Sequence, residues 1–159
     1  MQTSDKTANP TSAAVAYRSY MGGYYSVLIS PEQNGGSFAL LDMTLPKGVE
    51  PPRHMHTKED ESFYLIDGEI DFHIDEQIIK AKPGQAVFAP RMVPHHFALQ
   101  TPTARFLTLI TPGGFAEYFE AFSTSTEIPA VVPPQGPPPA EFISFMTSRL
   151  ETDFRVLFT

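Results

Sequence analysis

Two stretches of this chain carry side chains that could do chemistry. The richer runs from Gly48 to Gly68, GVEPPRHMHTKEDESFYLIDG, where His54 and His56 stand one residue apart and Glu61 follows five positions later. Side chains alternate faces along a strand, so the imidazoles of His54 and His56 point the same way and can converge on one point. Lys58-Glu59-Asp60 is a charged stretch that can turn the chain, after which Glu61 opens an apolar run and can supply a third ligand. Imidazole and carboxylate together suit a borderline divalent ion, namely iron, manganese, nickel, copper or zinc. A solvated strand face also carries His-x-His pairs. The fixed spacing to Glu61, with a glycine at each end, favours chelation over that plainer reading.

The second stretch, Gly84 to Leu99, reads GQAVFAPRMVPHHFAL. His95 and His96 cannot both face inward, because adjacent strand residues point to opposite sides. His95 shares the parity of Phe97 and Leu99, and His96 that of Ala98 and Gln100, so the apolar company puts His95 inside and leaves His96 at a partly exposed rim. In EIDFHID, Ile70, Phe72 and Ile74 alternate with Asp71, His73 and Asp75, which assigns His73 to the solvent face.

Together these residues resemble the cupin family. Gly48, His54, His56, Glu61 and Gly68 match its first motif, and Gly84, Pro90 and His95 match its second, over roughly residues 35 to 112. The resemblance implies an all-β, cupin-type antiparallel β-barrel or jelly roll, with His54, His56, Glu61 and His95 holding a metal inside it. It also suggests a homodimer. Met92 replaces a usual glycine and Leu99 a usual asparagine; neither is a customary ligand, but the turn before His95 and the chemistry of that wall differ from the pattern.

The elements that must position these residues are short. Tyr24 to Ser30 and Ser37 to Leu45 read as strands flanking the turn at Asn34-Gly35-Gly36, and Pro51-Pro52 fits an irregular entry to the histidine strand. Ser62 to Ile66, Glu69 to Asp75, Gln77 to Ala81, Gln85 to Ala89, Val93 to Gln100 and Arg105 to Ile110 continue the series. The division expected is a flexible arm over 1–20, the cupin barrel over 21–112 and a C-terminal helical extension with a proline-rich linker over 113–159. In that extension Phe115, Tyr118, Phe119 and Phe122 make a helical aromatic stripe that reads as core, packed on the outside or mouth of the barrel. A second helix from Ala140 to about Leu150 follows the linker, and the terminal FRVLF reads as a short strand or docking tail able to cover the barrel.

Composition narrows the function. The 159 residues suffice for one domain with a proper core, and 42% hydrophobic with 18% charged residues is ordinary for a globular chain. A net charge of −7 offers no basic footprint for nucleic acid or an anionic membrane. There is no cysteine, hence no disulfide, thiolate ligand or cysteine nucleophile. The opening MQTSDKTANPTSAAVAY lacks an apolar core of signal length and no stretch approaches a bilayer span, so the expected location is cytoplasmic and no membrane partner is expected.

Three imidazoles and a carboxylate leave one or two positions on a divalent ion for water, dioxygen or a substrate oxygen. Phe63 and Leu65 share the parity of Glu61, giving the site apolar walls that favour a small aromatic or enolisable ligand over a sugar phosphate. By resemblance to the quercetin dioxygenase type of cupin, Glu61 is also the candidate catalytic proton acceptor. The first expectation is a metal-dependent dioxygenase acting on a flavonol-like or other small enolisable substrate. The alternatives are a non-catalytic metal or small-ligand binding cupin, or a metal-dependent isomerase or decarboxylase.

Overall fold

The computed structural model describes residues 15–159. In chain order they form β1 (Tyr17–Tyr20), β2 (Gly23–Ile29), β3 (Ala39–Pro46), β4 (His54–His56), β5 (Asp60–Asp67), β6 (Ile70–Ile74) and β7 (Gln77–Ala81). Then come β8 (Ala86–Ala89), β9 (His95–Leu99), β10 (Thr103–Thr111), α1 (Ala116–Ala121), β11 (Thr124–Thr126), α2 (Ala140–Asp153) and β12 (Val156–Phe158). All the pairings are antiparallel and fall into two sheets. One has the order β11-β1-β2-β3-β10-β5-β8 and the other β12-β4-β9-β6-β7. The sheets remain separate ladders, so the jelly roll is open rather than a closed barrel.

Alternation explains why they stack. Ala39, Leu41, Met43 and Leu45 of β3 are buried while Leu40, Asp42 and Thr44 between them are not, and Ile70 and Phe72 of β6 do the same from the opposing sheet. The layers meet through rings, with Phe63 of β5 lying 4.9 Å from Phe72 and 6.2 Å from Phe97 of β9, centroid to centroid. Removing this apolar surface from water is the main force holding the sheets together.

Several elements differ from the sequence reading. The first fourteen residues of the expected arm lie outside the described residues, but β1 falls within its 1–20 span and pairs with both β2 and β11. The helix expected over Phe115 to Phe122 is shorter, a 3-10 turn at Gly113–Phe115 leading into α1. The second helix runs on to Asp153. FRVLF contributes β12, which pairs along β4 with Val156 opposite His56 and Phe158 opposite His54. The tail is therefore an edge strand beside the histidines.

The turns around the site require unusual backbone. Gly68 turns β5 into β6 at φ +86°, and a Cβ there would stand 2.6 Å from the Thr103 carbonyl oxygen, so only glycine fits. In the turn before His95, Met92 adopts φ 63°, the left-handed conformation that a glycine takes without strain. Its N–H donates to the His56 carbonyl at 2.8 Å, which holds the conformation in place, and its side chain is 58% exposed. Met92→Gly should relieve this strain at little packing cost. The expected gain is about 1 kcal/mol, or roughly 2–4 °C in a thermal melt. An unchanged or lowered melting temperature would show that the methionine side chain packs more than it strains.

Candidate metal centre

Each ligand candidate is delivered by the end or edge of a strand. His54 and His56 occupy the two ends of β4, Glu61 begins the buried face of β5, and His95 opens β9 directly across from His54. The structure brings all four together. One donor atom from each of His54, His56, Glu61 and His95 lies within 4.8 Å of the others, and all four side chains are buried. Glu61 Oε2 stands 3.2 Å from His95 Nε2 and 3.4 Å from His56 Nε2.

The backbone orients two of the three rings. His54 Nδ1 donates to the Pro52 carbonyl at 2.8 Å and His95 Nδ1 to the Val93 carbonyl at 2.9 Å. Both rings are thereby held with Nδ1 turned to the backbone and Nε2 facing the cluster. The third ring is held differently. His56 Nδ1 faces the buried Glu59 carboxylate at 3.5 Å, too far for a formed hydrogen bond, and both atoms lack any other partner. A carboxylate behind a ligating imidazole raises its basicity. Glu59 reads as part of a charged turn in the sequence, yet it has the strand parity of Glu61, and that was the signal to its position.

Electrostatics fit a cation between these groups. Burial and the neighbouring imidazoles His95 and His56 push His54 down to about 4, so its ring is neutral. Burial also opposes charge on His56, but the Glu61 and Glu59 carboxylates outweigh it and raise the ring to about 9. Burial raises Glu61, but the charge and hydrogen bonds of His56 and His95 outweigh it and hold the carboxyl well below its usual range. Without an ion, then, His56 carries the positive charge that balances Glu61. The donor set fits a divalent metal, which would take the place of that proton.

His73 and His96 are not in the cluster. They are cross-strand neighbours on β6 and β9, half-buried on the opposite face of the sheet, with rings stacked at 4.3 Å and 13°. Above the cluster opens a cavity of about 230 Å³. Phe63, Phe97 and Phe106 line its walls, Phe115 packs its ring on His56 at 4.5 Å, and Met146 and Leu150 of α2 with Phe158 of β12 close the other side. The sequence reading treated the stripe from Phe115 as core and the tail as a cover; both turn out to line this cavity. Tyr20 lines it as well, and was missed because it lies in the stretch read as an arm.

Residues 41–110 match the cupin domain family. The matched stretch resembles a small cupin domain. Among curated proteins, the chain aligns with quercetin 2,3-dioxygenase of Bacillus subtilis at 23% identity over 103 residues, covering 65% of this chain and 31% of the relative. Quercetin 2,3-dioxygenase of Aspergillus japonicus is 28% identical over 110 residues, covering 64% and 31%. The chain thus spans about a third of the length of these relatives. Among solved structures, an RmlC-like cupin from Shewanella frigidimarina superposes with a TM-score of 0.56 at 19% identity, over 74% of this chain and 99% of its own, a likeness of fold. Among the described residues, no helix is long and apolar enough to cross a membrane.

The charge on His56 sets the pH response of metal binding. Its raised pKa means that a proton occupies the ring up to about pH 9 and must leave when an ion binds. Between about pH 7 and 9, calorimetric titration of the metal-free protein with a divalent ion in buffers of different ionisation enthalpy should register about one proton released per ion. Affinity should rise roughly tenfold per pH unit across that window and level off above it. Affinity independent of pH there would mean that His56 does not carry the proton the ion displaces.

Proposed function

We propose that this cupin is a metal-dependent dioxygenase of a flavonol-like or other small enolisable molecule, with His54, His56, Glu61 and His95 as metal ligands and Glu61 as proton acceptor. The observation that carries the reading is the buried group of three imidazoles and one carboxylate at the floor of an apolar, ring-lined cavity. The alignment with two quercetin 2,3-dioxygenases supports it. The expected setting remains a cytoplasmic homodimer with a small-molecule substrate.

A divalent ion held by these four side chains supplies Lewis acidity and, when redox-active, a path for electrons between substrate and dioxygen. The protein's own groups do the rest. Phe63 and Phe97 present faces and edges suited to a planar ring, and the lining keeps bulk water from the reacting oxygen. Glu61 is ionised at neutral pH, so its carboxylate can accept the proton of an enolic hydroxyl brought to the cluster. The Pro52 and Val93 carbonyls fix His54 and His95, so the proton acceptor sits in a rigid frame.

The test is oxygen consumption. Protein loaded separately with iron, manganese, nickel or copper is offered a flavonol in an oxygen electrode, and at least one form should consume one dioxygen per flavonol. His54→Ala should lose bound metal and fall to the background rate, while His73→Ala, altered on the far face of the sheet, stays within about twofold of the parent. Turnover retained by a metal-free His54 variant, or no uptake with any ion, would contradict the reading. The latter result would favour a binding module without turnover.

A further inference from the structure

Two tyrosines from separate parts of the chain meet in the cavity. Tyr20 ends β1 and Tyr118 lies in α1; their hydroxyl oxygens are 3.1 Å apart, and both side chains line the space above the cluster. Phe115 connects them to the site, its ring stacked on Tyr118 at 5.1 Å and 9° and nearly perpendicular to that of His56 at 4.5 Å. Tyr20 is in turn fixed by Phe119 at 5.4 Å and Tyr25 at 6.2 Å.

The donor count is uneven. Each hydroxyl brings one proton, and the bond between them engages one of the two. Among the described residues neither oxygen has another hydrogen-bond partner, so one O–H donor remains unengaged in an otherwise apolar wall. Two other polar side chains at the cavity, Glu50 and Thr108, are already occupied. The Glu50 carboxylate accepts from the N–H groups of Gly48 and Leu99, and the Thr108 hydroxyl is directed at the Met43 sulfur. Burial and the neighbouring Tyr118 raise the Tyr20 phenol well above its usual range, and burial lifts Tyr118 to about 12. Both are therefore protonated donors at any working pH.

We propose that the Tyr20–Tyr118 pair is a specificity-determining site, donating a hydrogen bond to a carbonyl or ionised hydroxyl oxygen on the ring system of the bound molecule. It selects planar ligands with an oxygen acceptor remote from the one that reaches the metal cluster, over hydrocarbons of the same size. A buried donor left without a partner discriminates against a ligand that cannot supply one. The inference rests on the cavity being the ligand site proposed above and does not require that the ligand be oxidised.

The experiment compares two probes by equilibrium fluorescence on metal-loaded protein without oxygen: 3-hydroxyflavone, which carries acceptor oxygens, and 2-phenylnaphthalene, which has a similar outline and none. The parent should bind 3-hydroxyflavone more tightly. Tyr20→Phe and Tyr118→Phe should each weaken it about three- to tenfold, since one removes the donating hydroxyl and the other the bond that aims it, and the double variant should therefore fall short of the product of the two. Affinity for 2-phenylnaphthalene should hold within twofold in every variant, and bound metal and melting temperature should match the parent. Unchanged 3-hydroxyflavone affinity, an equal loss for both probes, or no binding of either probe to the parent would overturn the assignment. Hydroxyl-dependent binding without oxygen uptake would leave it standing and remove the dioxygenase reading; oxygen uptake with the same affinity in all variants would do the reverse.

Discussion

Glu61 puts an ionised carboxylate where water has little access, and the fold tolerates it because two imidazole nitrogens lie within 3.4 Å of the same oxygen. Burying an unpaired charge costs several kcal/mol, and protonation would be the ordinary escape. In the metal-free protein that escape is disfavoured at neutral pH, since despite burial the charge of His56 holds the carboxyl well below its usual range. The positive charge has to come from a protonated His56 or from a cation that replaces its proton. That exchange would couple the charge balance of the fold to metal binding. The same compensation serves the metal-free protein and prepares it for an ion.

The strand carrying two of the donors is short for such a task. β4 has three residues, and its pairing with β9 is the single rung between His54 and His95. Its other edge is covered along its full length by β12, and Thr57 just beyond it donates its hydroxyl to the Arg155 carbonyl. Residues about a hundred positions away therefore clamp the histidine strand. The same tail supplies Phe158 to the cavity and to the ring of His54, at 6.4 Å. Site geometry and cavity shape are mechanically one unit.

The ligand candidates were legible because they depend on local geometry. Strand period alone places His54 and His56 on one face, and the apolar company of His95 separates it from His96. The jelly-roll strands were equally readable, since alternation such as that of Ile70 and Phe72 marks a buried face without knowledge of the partner strand. What escaped was non-local. β1 pairs with β11, more than a hundred residues on, and neither segment has an apolar pattern strong enough to declare a strand. The place of β12 beside β4 is likewise a tertiary fact, as is the meeting of Tyr20 with Tyr118. The Phe115 stripe looks like any core helix face, and only the cavity distinguishes a wall from a core. Met92 is the opposite case: the sequence shows a departure from the usual glycine, and the backbone shows its physical content, a left-handed residue without a glycine's freedom.

The proposed chemistry depends on a single cation held by His54, His56, Glu61 and His95. Anomalous diffraction from crystals soaked in one equivalent of manganese or cobalt, recorded at the absorption edge of that metal, tests this most directly. It should give one dominant peak per chain, bonded to the Nε2 atoms of His54, His56 and His95 and to a Glu61 carboxylate oxygen at about 2.0–2.3 Å. A peak elsewhere, or a fully formed cluster with no peak at one equivalent, would contradict it.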